Sequence, residues 1–422
     1  MSFRPYLRAD DVSRVPIGWS VVPLKHLVSV VKEKASAAKD ELPYIGLEQI
    51  HPWIGRYEID YELVVEGDGT KFRPKDVLFG TLRPYLAKGC IPSIVGVSTT
   101  ETVVLRVGEA LLPEFLLYSL LNPPKIEQID SSTYGSKMPR TNWPFLGSQI
   151  QLVPPIQLQQ AIVAFLDYRL AEIDDLIAKK RGLLGLLAEK RSALITRAVT
   201  KGLDPTAPMK PSGIDWLGEI PAHWEARRFR FLISAPFKYG ANEPAELEDH
   251  DFPRYIRITD VKDDGNLRND TFRSLPPEIA EPYLLQEGDI LLARSGATVG
   301  KSFKYELSWG IAAYAGYLIR ARLSEVMLPD YIKFFLHSQS YWQWVEGSFI
   351  QSTIQNISAE KYSNLWLPLP PVDEQTAIVD TITEGVIEID RSVDLVTRAI
   401  DQLTEYRAAI ITKAVTGELE VT

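Results

Sequence analysis

The chain has 422 residues, 45% of them apolar, and a formal net charge of −9. That length holds two or three domains with proper cores, the apolar share is that of a globular protein, and the acidic balance argues against indiscriminate coating of nucleic acid. A single cysteine, Cys90, excludes an intramolecular disulfide framework and a cysteine-built zinc site, and the five histidines are scattered. No metal and no cofactor is expected, no charged-then-apolar leader opens the sequence, no apolar run reaches bilayer length, and a reducing cytoplasm is the expected compartment.

From the N-terminus, an arm carrying Val15-Pro16-Ile17-Gly18-Trp19 leads into a segment of short strand signals. Pro43 to Leu47 reads as one strand, and Asp76 to Gly80 as another that runs into a basic, glycine-containing loop, 80–89, with Arg83 and Lys88 as candidate DNA contacts. Leu112-Pro113-Glu114 then puts a proline and an acid in the first turn of a helix. Asn122-Pro123-Pro124-Lys125 has the outline of an amino-methyltransferase motif, but a lysine replaces the aromatic that would stack on the target base, and no glycine-rich cofactor loop precedes it. It reads as a helix stop followed by a turn. A polar loop, 134–142, precedes the last strand of the segment and offers Lys137, Arg140, Thr141 and Asn142. Arginine can read guanine, and asparagine adenine, through paired hydrogen bonds in the major groove.

Pro154 to Thr200 is the stretch around which the chain is organised, because it returns 216 residues later as Pro370 to Thr416, with about 18 of 47 positions identical and no gap. Shared features are the opening Pro-Pro, a Gln-x-Ala-Ile-Val, a Glu-Ile-Asp and a closing Ile-Thr-x-Ala-Val-Thr. Apolar residues recur at spacings of four and three: Leu166, Leu170, Ile173, Ile177, Leu184, Leu187 and Leu194 in one copy, Ile382, Val386, Ile389, Val393, Val396, Ile400, Leu403 and Ile410 in the other. This is a heptad seam, interrupted by Lys180, with Arg191 and Arg407 at the same late position. Forty-odd helical residues make a rod of roughly 65 Å, and its narrow apolar stripe needs a partner. Residues 156–200 sum to +2 and residues 372–416 to −5, so the two copies are expected to pair with each other.

The connector, 201–224, is rich in proline and glycine, yet Ile214, Trp216, Leu217 and Trp224 demand burial, so it reads as ordered. It ends in Ile220-Pro221-Ala222-His223-Trp224, which answers to the entrance at 15–19. Pro253 to Ile258 answers to the first strand, Gly288 to Leu292 to Asp76–Gly80, and Leu328-Pro329-Asp330 to the helix start at 112–114. Ser295 to Ser302 nearly spells a phosphate-binding P-loop, but Ser295 stands where the first glycine is required, and Phe303 to Trp309 reads as a strand where a helix is needed. The same loop suits DNA, with Lys301 on phosphate and Arg294, Ser295 and Thr298 on base edges. A second polar loop, 347–356, adds Gln351, Ser352, Thr353, Gln355 and Asn356.

With both Pro-Pro-opened helices, the Lys201-Gly202-Leu203-Asp204-Pro205 connector and the paired entrances in hand, the chain resembles the DNA-specificity subunit of a type I restriction-modification system over essentially its whole length. The first entrance departs from the pattern only in Val15, where the second has Ile220. The resemblance implies two mixed α/β target-recognition domains separated by two long antiparallel coiled-coil helices in an internal pseudo-twofold repeat. By that implication 1–153 is arm and first domain, 154–200 the first spacer helix, 201–224 the connector, 225–369 the second domain, and 370–422 the second spacer helix with its tail. It further implies double-stranded DNA and two methyltransferase subunits as partners, joined for cleavage by nuclease-translocase subunits, and a chain without catalytic groups of its own. A scaffold whose domains bind protein is the rival expectation, since the domains carry only about −1 and −3 of charge.

Overall fold

The computed structural model describes residues 15–60, 62, 68–135, 137–262, 267–268, 270–348 and 356–421. The chain divides into two compact units, Met1–Arg181 with Thr397–Thr422, and Gly182–Val396. Each unit therefore holds one α/β domain and a part of both long helices, Ile156–Lys201 and Val372–Thr416.

In the first unit, Ser20–Pro23 pairs antiparallel with Ile150–Val153, and a four-stranded antiparallel sheet runs in the order Val28–Val30, Thr102–Val107, Val77–Gly80, Gly89–Cys90. A further sheet ends in a parallel pairing of Tyr44–Ile45 with Gly96–Ser98. The second unit repeats this order: Glu225–Arg228 pairs with Trp366–Leu369, the sheet runs Ile233–Tyr239, Leu318–Leu323, Ile290–Ala293, Ser302–Lys304, and Arg254–Ile256 pairs in parallel with Ala312–Tyr314. Val77–Gly80 and Ile290–Ala293 are buried at every position, which explains their unbroken apolar sequence in place of an alternating one. Leu217 and Trp224 of the connector are buried and Ile214 and Trp216 pack against the same core.

Two expectations need correction. Asp76 corresponds to Asp289 and not to Gly288, because these two carboxylates occupy the same turn and are each held twice by an arginine of the neighbouring strand: Arg106 at 2.8 and 2.8 Å, Arg322 at 2.8 and 2.7 Å. The carboxylates are buried, and these charge-assisted bonds hold both guanidinium groups above their ordinary pKa. The expected strand from Phe303 to Trp309 is strand only over Ser302–Lys304 and closes in a single tight turn, Leu307–Trp309.

Each long helix starts one residue past its Pro-Pro and ends where a glycine, Gly202 or Gly417, takes the left-handed conformation at φ +74° or +73°. The shared glutamine of the repeat locks the entry. Gln159 accepts from Leu112 N at 2.8 Å and donates to the carbonyls of Ala110 and Pro154 at 2.9 and 2.8 Å. Gln375 does the same with Leu328 N, Val326 O and Pro370 O at 2.8, 2.8 and 3.0 Å.

The two helices pair antiparallel within each unit. Arg407 Nε donates to Asp174 Oδ1 at 3.0 Å in the first, and Arg191 Nη1 to Asp390 Oδ1 at 2.9 Å in the second. Seventeen residues forward along one helix, from 174 to 191, thus match seventeen backward along the other, from 407 to 390. Leu166, Leu170, Ile173 and Ile177 are buried with Ile410 in the first unit, and Ile382 and Ile389 are buried in the second, while Leu184, Leu187, Leu194, Val386, Val393, Val396, Ile400 and Leu403 are half-buried. Leu194 seats on Gly385, where an added Cβ would lie 2.6 Å from its Cδ2. Among the described residues no helix is long and apolar enough to cross a membrane.

Candidate nucleic-acid interface

In each domain the fold brings together the two polar loops that the sequence singles out. In the first, Leu82 and Arg140 form an isolated bridge, Arg83 N donates to Pro139 O at 2.7 Å, and Thr141 N donates to Thr81 O at 3.0 Å. In the second, Ser295 and Asn356 form the matching bridge, and Ile357 N donates to Arg294 O at 2.8 Å. These backbone bonds join a loop that leaves the central strand to one that enters the last strand, so polar side chains more than fifty residues apart share one rim.

The side chains on that rim are not equivalent. Arg83 is exposed and sits in the left-handed region at φ +49°, and Lys137 is exposed. Arg140 is half-buried and engages Glu101 at 2.8 Å, while Lys88 turns inward to the Leu47 carbonyl at 2.5 Å. Thr141 is buried, and Asn142 uses its side-chain oxygen to cap the helix Trp143–Ser148 through Phe145 N at 3.0 Å. Both therefore serve the loop's own structure in this conformation, because a polar residue just before a helix caps it more readily than it projects.

In the second domain Lys301 is exposed, and Ser295 and Thr298 are half-buried. The Arg294 guanidinium lies 4.8 Å from the Tyr239 ring centre, and Tyr239 Oη accepts from Ala359 N at 3.0 Å. Arg294 Nε and Asn356 Oδ1 are buried atoms without a hydrogen-bond partner among the described residues. A buried donor and acceptor left unpaired cost free energy that a ligand can return. Beside Ser295 opens a cleft of about 550 Å³ lined by Asn242, Arg257, Thr259 and Tyr317 among others. Gln351, Ser352, Thr353 and Gln355 lie outside the described residues.

The amino-methyltransferase outline has a structural explanation. Asn122 does not open a turn; it begins the helix Pro123–Asp130 directly after Pro113–Leu120, and its Oδ1 accepts from Thr412 Oγ1 of the second long helix at 2.7 Å. The matching contact in the other unit is Gln339 N donating to Thr196 Oγ1 at 2.9 Å. Lys125 is fully buried, donates to Ile150 O at 2.7 Å, and is pushed down to about 7 by that burial.

Comparison with known proteins points one way. The chain is 24% identical over 454 residues to the type I restriction enzyme EcoKI specificity subunit of Escherichia coli, covering 97% of this chain and 91% of that one. It is 22% identical over 433 residues to the MjaVIII specificity subunit of Methanocaldococcus jannaschii, with 97% and 94% covered. In sequence and in fold the chain resembles the type I specificity subunits. The fold likeness rests on two solved chains: one from a study of complex assembly and conformational transition of the type I R-M system, at TM-score 0.77, 18% identity and coverage of 96% and 99%, and the HsdS subunit from Thermoanaerobacter tengcongensis, at 0.54, 19%, 96% and 98%. No protein-family model matches the chain. Among features shared by the two halves, sequence reasoning missed the roles of Gln159 and Gln375, and of Asp174 and Asp390, all within the repeated motifs.

Proposed function

We propose that the chain is the DNA-specificity subunit of a type I restriction-modification complex, with one α/β domain for each half of a divided DNA site and no catalytic group of its own. The observation that carries this reading is the convergence, in both domains, of the same two polar loops on a duplicated frame. Arg83, Lys137 and Arg140 in one domain, and Arg294, Ser295, Lys301 and Asn356 in the other, supply the donors and acceptors that base edges and phosphates require. The recognition domains span about 20–153 and 225–369. The paired helices set the gap between half-sites and dock methyltransferase subunits, and nuclease-translocase subunits join for cleavage.

Exchanging residues 225–369 for the matching segment of a related specificity subunit tests the reading. Sequencing the DNA methylated by the reconstituted complex is expected to show one half-site altered and the other kept. A motif that changes in both halves, or a complex whose DNA binding is insensitive to salt, overturns it.

A further inference from the structure

The second domain holds a basic cluster away from its two polar loops, in the stretch Glu225-Ala226-Arg227-Arg228-Phe229-Arg230-Phe231. Strand pairing sets Arg228 opposite Trp366, and its guanidinium lies over that ring at 5.2 Å. Arg230 lies over the ring of Phe231 at 4.9 Å, and Phe231 is 61% exposed. Both guanidinium groups donate to one neutral acceptor, Asn364 Oδ1, at 3.2 and 3.1 Å. Among the described residues neither has a carboxylate within 4 Å, whereas the adjacent Arg227 is paired with Glu225 at 2.8 Å. Two like charges converging on one amide oxygen repel each other, and attraction to the aromatic rings beneath them opposes their separation. An anion bridging them offsets the repulsion and accepts further N–H groups from both.

Their place in the fold says which anion. Asn364 follows the short helix Ala359–Ser363, whose first residue is tied to Tyr239 under Arg294, and Asn356 of the Ser295 bridge lies just before that helix. The five steps from Ala359 to Asn364 span about 8 Å, roughly two steps along a DNA strand. The first domain lacks the arginine pair at the matching positions: Leu24 N to Gln149 O and Phe229 N to Leu365 O are matching bonds, which sets Pro23, Lys25 and Ser148 where the second domain has Arg228, Arg230 and Asn364.

We propose that Arg228 and Arg230 form a clamp for the phosphodiester backbone of DNA beside the second domain's half-site. The clamp rests on the DNA-binding reading above. The test uses the complete methyltransferase complex and a duplex bearing its methylated motif, with affinity measured across a salt series for wild type, R228Q/R230Q and R228K/R230K. For the glutamine pair, the slope of log affinity against log salt becomes shallower by about 0.9, the value for the one phosphate that the pair bridges, affinity at low salt falls at least tenfold, and the methylated motif is unchanged. The lysine pair keeps the charges, recovers most of the slope and shows that the domain still folds. If the wild-type complex binds with a normal salt dependence and the glutamine pair matches it, the clamp is wrong while the DNA reading stands. If the wild-type complex shows no salt-dependent binding, the DNA reading itself fails. A glutamine pair that assembles but alters the second half of the motif makes these arginines base readers and overturns the clamp.

Discussion

Asp174–Arg407 and Asp390–Arg191 are one interaction written twice, since both aspartates close the repeated Glu-Ile-Asp and both arginines hold the same late position of the repeat. Their surroundings differ. The Arg407 and Asp174 side chains are 11% and 25% exposed, and Arg407 Nη1 also donates to Trp53 O at 2.9 Å; the Arg191 and Asp390 side chains are 46% and 51% exposed. The loop His51–Glu58, closed by the bridge between Ile50 and Tyr57, supplies that extra carbonyl and covers the first pair. Duplication has copied the contact, and a neighbour outside the repeat has decided what it is worth. The two halves of the molecule should therefore respond alike where the repeat supplies every partner, and unlike where it does not.

The largest expected effect is a symmetric one. Gln159→Leu and Gln375→Leu each remove three hydrogen bonds from a buried side chain and strand their backbone partners, at about 3 kcal/mol apiece. Hydrogen exchange read separately over the two units should show losses of equal size, one in each. An effect confined to one of the variants breaks the equivalence of the halves.

Next comes an asymmetric position. Lys125 and Tyr341 stand at the same point of matching helices, donating to Ile150 O and Gly300 O at 2.7 Å each, but only the lysine can carry charge near neutrality. Between about 7, where Lys125 titrates in the fold, and 10.5, its ordinary value, the unfolded chain holds a proton that the native chain has shed. The burial penalty is thus fully present below pH 7 and is relieved as pH rises. Relative to Lys125→Met, wild-type stability should climb by at most about 2.7 kcal/mol from pH 7 to pH 9. Parallel pH profiles for the two proteins would show that the amine keeps its proton in the fold as it does in the unfolded chain.

The buried ion pair follows. Arg407→Met leaves Asp174 and the Trp53 carbonyl without their shared donor and should cost about 2 kcal/mol, less than for a wholly buried pair because Asp174 keeps some access to water. Thermal unfolding measures it, and a loss below about 0.5 kcal/mol would mean that solvent already screens the pair.

Much of this frame is legible in the sequence. The heptad seam names the helix faces, and the repeat identifies Arg191 with Arg407. What the heptad does not give is the antiparallel offset, so neither arginine can be matched to its aspartate before the helices are paired. The two polar loops of each domain are visible as polar runs between strand signals, yet their meeting is a property of sheet order, which no local pattern encodes. Thr141 and Asn142 look like readers because the residue types that bond to bases also cap helices. Arg228 and Arg230 escape notice because one ends a strand and the other sits in the tight turn after it, where alternating residues read as ordinary sheet, and only the Trp366 and Asn364 side chains facing them show two cations gathered at one point.

The smallest expected effect is the most telling about the repeat. At Asp390–Arg191 both side chains are about half exposed, so water screens the charges and the entropy of fixing two long side chains offsets much of the attraction. Arg191→Met should change stability by no more than about 0.5 kcal/mol. The exchange D390R/R191D keeps opposite charges across the same register, and its double-mutant cycle should yield a coupling of about 0.2 to 1 kcal/mol that fades as salt is raised. The same exchange at Asp174 and Arg407 should not be tolerated, because an aspartate at 407 is too short to reach the Trp53 carbonyl and has no proton to donate to it. Equal tolerance at both sites would mean that the loop His51–Glu58 covers the first pair without binding it, and that the two contacts remain as alike in energy as they are in sequence.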